Sequence, residues 1–499
     1  MSGRRGSRLS ATVAVAGVAF LAGCGTTVDN PPASSAGAES LGVTSVAPTN
    51  PVPGRTTSSP AGGHGLRPGT APAATGTRVP TIPPPVAASA SSTTNQAPTR
   101  VTGPLTIGVV YPNNGAANSS LGLSTSDSND PKSLMSALVA GVNKEGGLAG
   151  RKVSVSYFAS NSTLSNYSTQ AQAACAHFTE DGHVPVVLDV AYGNKFGMAE
   201  CLARHGVADF GLGTSDTVGD NKVGLYASPV WMSSTRRYPA VLKVLHSTGY
   251  LTSKNKIGVL LEDCPDLHRA YDAAVRPEIA RLHLVLADTA QIGCTSGFAS
   301  AGPAAAATQA AVLRFRSRGV DRVLIVSDFE QVALELLANA AASQGWHPGW
   351  MLSSAAETEV MRPNISKTQW PQLHGVGWSP RLDTDDPHQA VTPPDRRCLK
   401  LIKKGGVTVS GLQNTYIATT ECSTLFFLGA ALEASRGDAR GSALMAAVES
   451  LGSSFSSPAV LDGRTFFGPD RRDGPAAVAP FAYVAQCRCL RYTGKPVAP

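Results

Sequence analysis

From Leu105 onward the chain alternates between two hydrophobic rhythms. Leu105-Thr106-Ile107-Gly108-Val109-Val110-Tyr111-Pro112 is a short apolar run closed by turn residues, the pattern of a buried strand. A helix is predicted to follow, with Asp130 as N-cap and Pro131 at the first helical position. Leu134, Leu138 and Val142 fall on one face of it, and Gly146-Gly147 ends it. Val153 to Phe158 alternates as a second strand, residues 166–178 read as a helix, and Val184 to Val190 as a third strand. Val207 to Leu212, Ile257 to Leu261, Leu282 to Ala287 and Val323 to Val326 repeat the strand pattern between helical stretches. Strands alternating with helices predict an α/β fold of parallel sheets covered by helices on both faces. Thr424 to Leu432 is apolar but too short to span a bilayer.

The first hundred residues follow a different pattern. Arg4, Arg5 and Arg8 precede an apolar stretch from Ala11 to Leu21 that is too short for a membrane span, as in a secretory signal. Leu21-Ala22-Gly23-Cys24 resembles the bacterial lipobox, in which the cysteine thiol takes a diacylglycerol and becomes the new N-terminus. Residues 1–23 are thus expected to be a lipoprotein signal peptide, with Cys24 the lipidation site; each buried CH₂ adds roughly 0.8 kcal/mol, so a multiply acylated cysteine is a stable tether. Residues 24–103 are dominated by Pro, Ser, Thr, Ala and Gly and carry few large apolar side chains, which predicts a disordered linker. Flexible-chain scaling gives such a linker a reach of about 50 Å.

Charge and cysteine count narrow the partners. Formal charge is +7 over 499 residues, and loss of the three signal arginines leaves 7 − 3 = +4, nearly neutral for a chain of this size. Basic residues are dispersed, with no stripe interleaved with aromatics, which argues against nucleic acid as a partner. The densest cluster, Arg396, Arg397, Lys400, Lys403 and Lys404, fits a solvated helix face. Nine cysteines less the lipidated one leave eight, an even number suited to an oxidising compartment. Proximity in the chain suggests pairing Cys175 with Cys201, Cys264 with Cys294 and Cys398 with Cys422. Cys487 and Cys489 either close a small ring or pair elsewhere. No CxxC or HExxH spacing supports zinc, and no metal or other cofactor is expected.

The opening strand, the helix and the run Ala140-Gly141-Val142-Asn143-Lys144-Glu145-Gly146-Gly147-Leu148-Ala149-Gly150-Arg151-Lys152-Val153 resemble the start of the type I periplasmic-binding-protein family. In particular they resemble the branched-chain amino acid (leucine/isoleucine/valine) receptor lipoproteins of ABC importers, and the Cys175–Cys201 pairing matches a disulfide position of that family. The resemblance implies two Rossmann-like lobes joined by a multi-segment hinge, with ligand held between them. Residues 104–226 and 351–457 are expected to form lobe 1, and 227–350 and 458–499 lobe 2. It further implies a small-molecule ligand, an ABC permease as partner, and attachment by the lipid to the extracytoplasmic face of the cell membrane.

Open parallel sheets bind ligands beyond the carboxyl ends of their strands, which selects the candidate residues. Lobe 1 offers Tyr111 and Asn113, then Tyr192, Gly193 and Asn194, then Thr214, Ser215 and Asp216; lobe 2 offers Asp263, Asp328 and Phe329, with Trp378 at the rim. Thr214, Ser215 and the Gly193-Asn194 turn would receive a carboxylate, and Asp216, Asp263 or Asp328 an ammonium against Tyr192 and Phe329. Ala191-Tyr192-Gly193-Asn194 and Leu267-His268 depart from the family at these loops. The chain also lacks a GxSxG elbow, a Walker loop, HExxH and a complete GxGxxG, and its histidines are scattered, so an enzyme is not expected. A solute receptor of an ABC importer is the reading these features favour. The alternative is a bilobed sensor or scaffold lipoprotein that binds another envelope protein.

Overall fold

The structure is a computed structural model that describes residues 100–113, 130–161, 166–192, 195–213, 221–295, 300–386 and 389–499. The signal, Cys24 and nearly all of the linker therefore lie outside the described residues. Among the described residues no helix is long and apolar enough to cross a membrane.

Two sheets organise the folded chain. The first contains β1 (Leu105–Pro112), β2 (Val153–Ser160), β3 (Val186–Asp189), β4 (Ala208–Gly211) and β5 (Tyr226–Ala227), all parallel, in the order β2-β1-β3-β4-β5. Ile107 and Val109 point to one face, where helix Pro131–Lys144 packs with the later helices Pro393–Gly405, Leu412–Ala434 and Gly441–Ser450. Val110 and Val187 point to the other, covered by helix Tyr167–Ala176 and its extension to Phe178. Helix Pro131–Lys144 starts as its sequence dictates: the Asp130 carboxylate accepts the Ser133 amide at 3.2 Å, with Pro131 at the first position. Gly146 and Gly147, at φ 110° and 91°, turn the chain out of it, and a Cβ on Gly147 would meet the Arg151 carbonyl.

The second sheet runs β12-β11-β10-β9-β8-β6-β7, from β6 (Lys256–Asp263), β7 (Val285–Gly293), β8 (Arg322–Val326), β9 (Gly349–Ser353), β10 (Leu373–Gly377), β11 (Ala479–Val484) and β12 (Cys489–Tyr492). Its core strands are parallel, while β11 pairs antiparallel with both β10 and β12. Strands β9 and β10, expected in lobe 1, belong to this second sheet, so the return to the first lobe falls between Asp383 and Pro393 and not at residue 351. The physical reason is register: Leu373 to Val376 pair in parallel with Trp350 to Ser353, which in turn pair with β8.

The segments joining the lobes lie side by side. Ser228 donates and accepts backbone hydrogen bonds with Arg472 and Gly474, and Asp473 receives the Ser233 amide at 2.8 Å and the Arg236 guanidinium at 2.6 Å. Disulfides join Cys175 to Cys201, Cys264 to Cys294, Cys398 to Cys422 and Cys487 to Cys489. The last is the small-ring alternative. The basic cluster from Arg396 to Lys404 lies exposed on a helix whose other face buries Cys398, Leu401 and Ile402.

Candidate functional site

The carboxyl ends of both sheets open on one cleft of about 380 Å³, a volume suited to a small molecule. On the first lobe, β3 ends in Asp189, whose Oδ1 accepts the amides of Ala191 and Tyr192, each at 2.8 Å, and so turns Tyr192 toward the cleft. Burial pushes the Tyr192 hydroxyl up to about 12, which keeps it a neutral donor. Phe196, at φ 60°, sets its ring edge-on to Tyr192 at 6.4 Å and adds an apolar wall. Helix Leu412–Ala434 supplies Tyr416, Ile417, Thr420 and Glu421, whose spacing of one, four and five residues places them on one face.

On the second lobe the loop after β8 is held from below. The Glu262 carboxylate accepts the Ser327 hydroxyl at 2.7 Å and the Asp328 amide at 2.9 Å, while its other oxygen takes the Thr295 amide at 2.7 Å. Arg237 donates to the Ser327 carbonyl at 3.0 Å and to Tyr238 Oη at 2.7 Å, and lies 3.5 Å from Asp328. Asp328 also pairs with Lys195 of the first lobe, and Phe329 stacks on Tyr167 of the first lobe with ring centroids 6.4 Å apart. At the end of β9 the Ser353 amide and hydroxyl donate to Glu330, which starts the helix after β8, at 2.8 and 2.7 Å, fixing the turn that leads to Glu357. Glu357 holds a left-handed conformation, φ 44° and ψ 46°, sparsely populated for a residue with a side chain.

Two carboxyls give the cleft its electrostatic character. Glu421 is 1 % exposed, and neither of its carboxylate oxygens has a hydrogen-bond partner. Burial, reinforced by Asp130, pushes it well above the usual carboxylate range. Burial likewise pushes Glu357 up to about 7.

Comparison with solved structures identifies the architecture. A solute-binding protein of an ABC transporter from Rhodopseudomonas palustris, in complex with 4-hydroxybenzoate, matches with a TM-score of 0.59 at 15 % identity, over 80 % of this chain and 97 % of that one. A leucine-binding protein from Thermotoga maritima matches with a TM-score of 0.58 at 10 % identity, over 79 % and 99 % of the two chains. The chain has the type I periplasmic-binding fold. A substrate-binding protein of an ABC transporter from Aeropyrum pernix shares this fold with a TM-score of 0.60, at 15 % identity over 80 % and 96 %. No family model and no curated protein matches the sequence.

Within this type I periplasmic-binding fold, Tyr192, Asp328 and Phe329 line the cleft together. Tyr111 instead meets Tyr157 edge-on at 6.0 Å, Asn113 is exposed, and Asp263 pairs with His268 at 2.6 Å, all outside the cleft lining. Trp378 is buried behind it, donating to the Val230 carbonyl at 2.9 Å, while Trp231, edge-on to it at 5.9 Å, takes the lining position. Gly193, Asn194, Thr214, Ser215 and Asp216 lie outside the described residues. Lys195, Trp231, Arg237, Glu357, Tyr416 and Glu421 line the cleft without having been singled out in the sequence. The helical spacing of Tyr416, Thr420 and Glu421, an acid within a largely apolar helix, was the available signal. Glu262, Cys264 and Cys294 also come together, with potential ligand atoms within 4.8 Å of one another. The two sulfurs are spent in a disulfide and the carboxylate already accepts three hydrogen bonds, so this is not the donor set of a metal centre.

Proposed function

We propose that this chain is a lipid-anchored extracytoplasmic solute-binding protein of an ABC importer, which closes its lobes on a small polar solute: an amino acid, an amide or a related molecule. The observation that carries the reading is the cleft: aromatic side chains from both lobes, Tyr192, Phe196, Trp231 and Phe329, surround a few convergent polar groups at the strand ends. The fold neighbours support it, since those from R. palustris and T. maritima are a 4-hydroxybenzoate complex and a leucine-binding protein. An apolar portion of the solute would lie on the rings, and hinge closure would bury it and present the closed form to a membrane permease. Cys24 would carry the lipid, and residues 24–103 would let the two lobes stand off the bilayer.

Tryptophan emission tests the binding step, because Trp231 lines the cleft and contacts Trp378. Titration with amino acids, amides and small organic acids is expected to give a saturable change that Trp231→Phe largely removes. A flat response by emission and calorimetry, together with capture of an envelope protein, would instead establish the scaffold role. Membrane attachment is tested separately: Cys24→Ala should release the chain from the membrane fraction, and retention there would sink the lipid anchor.

A further inference from the structure

Asp328 is the carboxylate the strand-end rule offers to a ligand ammonium, but it is already engaged. Lys195 pairs with it from the first lobe and Arg237 lies 3.5 Å away, and these two are the only cations among the described residues lining the cleft. Two further acids line the cleft, Glu421 from the first lobe and Glu357 from the second, and neither has a basic partner among the described residues. Glu421, 1 % exposed, has neither an ion pair among the described residues nor a hydrogen-bond partner for either oxygen. Its titratable neighbours, Asp130 from the helix start and Tyr157 from β2, bring no positive charge. Glu357 likewise makes no ion pair among the described residues, and the group that faces it is the Tyr416 hydroxyl. Trp231 and Tyr416 line both the cleft and the narrow gap behind it, next to Thr420. Two carboxyls beside an indole and a phenol form the environment that holds an organic cation: charge-assisted hydrogen bonds from the acids and cation–π attraction from the rings.

We infer that the cleft selects a solute bearing a protonated amine or amidine, which docks on Glu421 and Glu357 against Trp231 and Tyr416, away from Asp328. The inference rests on the solute-binding reading and names the class of solute. A buried carboxyl without a partner is costly to keep. A ligand cation supplies the missing donors only when bound, and so converts that cost into selectivity. Glu421 of the first lobe and Glu357 of the second then share the charge recognition, while Asp328, Lys195 and Arg237 hold the lobes together.

The test uses the mature chain and three probes that share a phenyl ring and differ in charge: 2-phenylethylamine, phenylalanine and 3-phenylpropionate. Calorimetry is expected to show binding of the amine and of the zwitterion, with the carboxylate at least tenfold weaker. Glu421→Gln is expected to weaken the amine tenfold or more while leaving the far-ultraviolet spectrum unchanged, and Glu357→Gln to weaken it by less. Amine binding at pH 6 should also release protons, read from the dependence of the heat on buffer ionisation enthalpy. Preferential binding of the carboxylate, or amine binding unmoved by Glu421→Gln, would overturn the cation site and leave the solute-binding reading standing. Silence of all three probes in folded wild-type chain would overturn the inference, and a wider solute panel that then bound would preserve the receptor.

Discussion

Glu421 stands one turn after Ile417 on a helix whose flanking residues Ala418, Cys422 and Leu425 are packed into the first lobe's core. A carboxyl there resists ionisation, because the fold withholds both water and donors. The consequence for stability has a definite sign. The unfolded chain loses the Glu proton near pH 4.3 while the folded one keeps it, so the stabilising contribution is complete below that value and declines as pH rises toward the folded-state pKa. Glu357 acts in the same sense between about 4.5 and about 7. Glu421→Gln removes the ionisable group at nearly constant volume. It is expected to raise stability at pH 8, where the unfolded chain gains by ionising and the folded one does not, by about 1.4 kcal/mol for each unit by which the folded-state pKa exceeds the unfolded one, and to change little at pH 4. Urea unfolding at the two pH values checks this, and equal curves for wild type and variant at pH 8 would refute it.

At the scale of elements, helices Pro131–Lys144 and Pro393–Gly405 of the first lobe pack backbone against backbone. A Cβ on Gly141 would lie 2.1 Å from the Leu401 carbonyl oxygen, and one on Gly405 would lie 1.8 Å from that of Ala137. The two backbones touch because each presents a glycine to the other. Alanine gains about 1 kcal/mol over glycine in a helix interior, but forcing a methyl into a closed contact costs typically 1–3 kcal/mol, so overlap should win. Gly141→Ala is expected to destabilise by about 1–2 kcal/mol, whereas Gly302→Ala, with nothing within 4 Å, should be neutral or slightly stabilising. A lower urea midpoint for the first alone is the check. The contrast also shows what the chain makes legible. Apolar runs such as Leu105–Pro112 and Val323 to Val326 announce β1 and β8, because buried parallel strands need little else. Strand β10 is hidden in Leu373-His374-Gly375-Val376-Gly377, where the glycines resemble a loop but make room for Phe481 and Asp383. The strand-end rule likewise reaches Tyr192, Asp328 and Phe329 but not Trp231, Arg237 or Glu421, which are set by the crossing segment and by helices whose placement depends on the whole lobe.

At the scale of the molecule, the two lobes meet through Lys195 on Asp328 and Tyr167 on Phe329. Both contacts join the two lobes, so they favour a closed arrangement before any solute enters. A partly buried pair of this kind is weakly screened: the Lys195 side chain is 18 % and that of Asp328 6 % exposed. Breaking it should act on the equilibrium between open and closed lobes and leave the fold of each lobe intact. Lys195→Met keeps the aliphatic stem and deletes the charge, and Arg237 remains to neutralise Asp328, so no buried anion is orphaned. The expected result is a larger radius of gyration by small-angle scattering for the solute-free variant, at an unchanged urea midpoint. Affinity for solute should fall in proportion to the lost closed population, because binding must then restore what the ion pair had supplied. An unchanged radius of gyration with reduced thermal stability would show that the pair braces one lobe and does not clasp two.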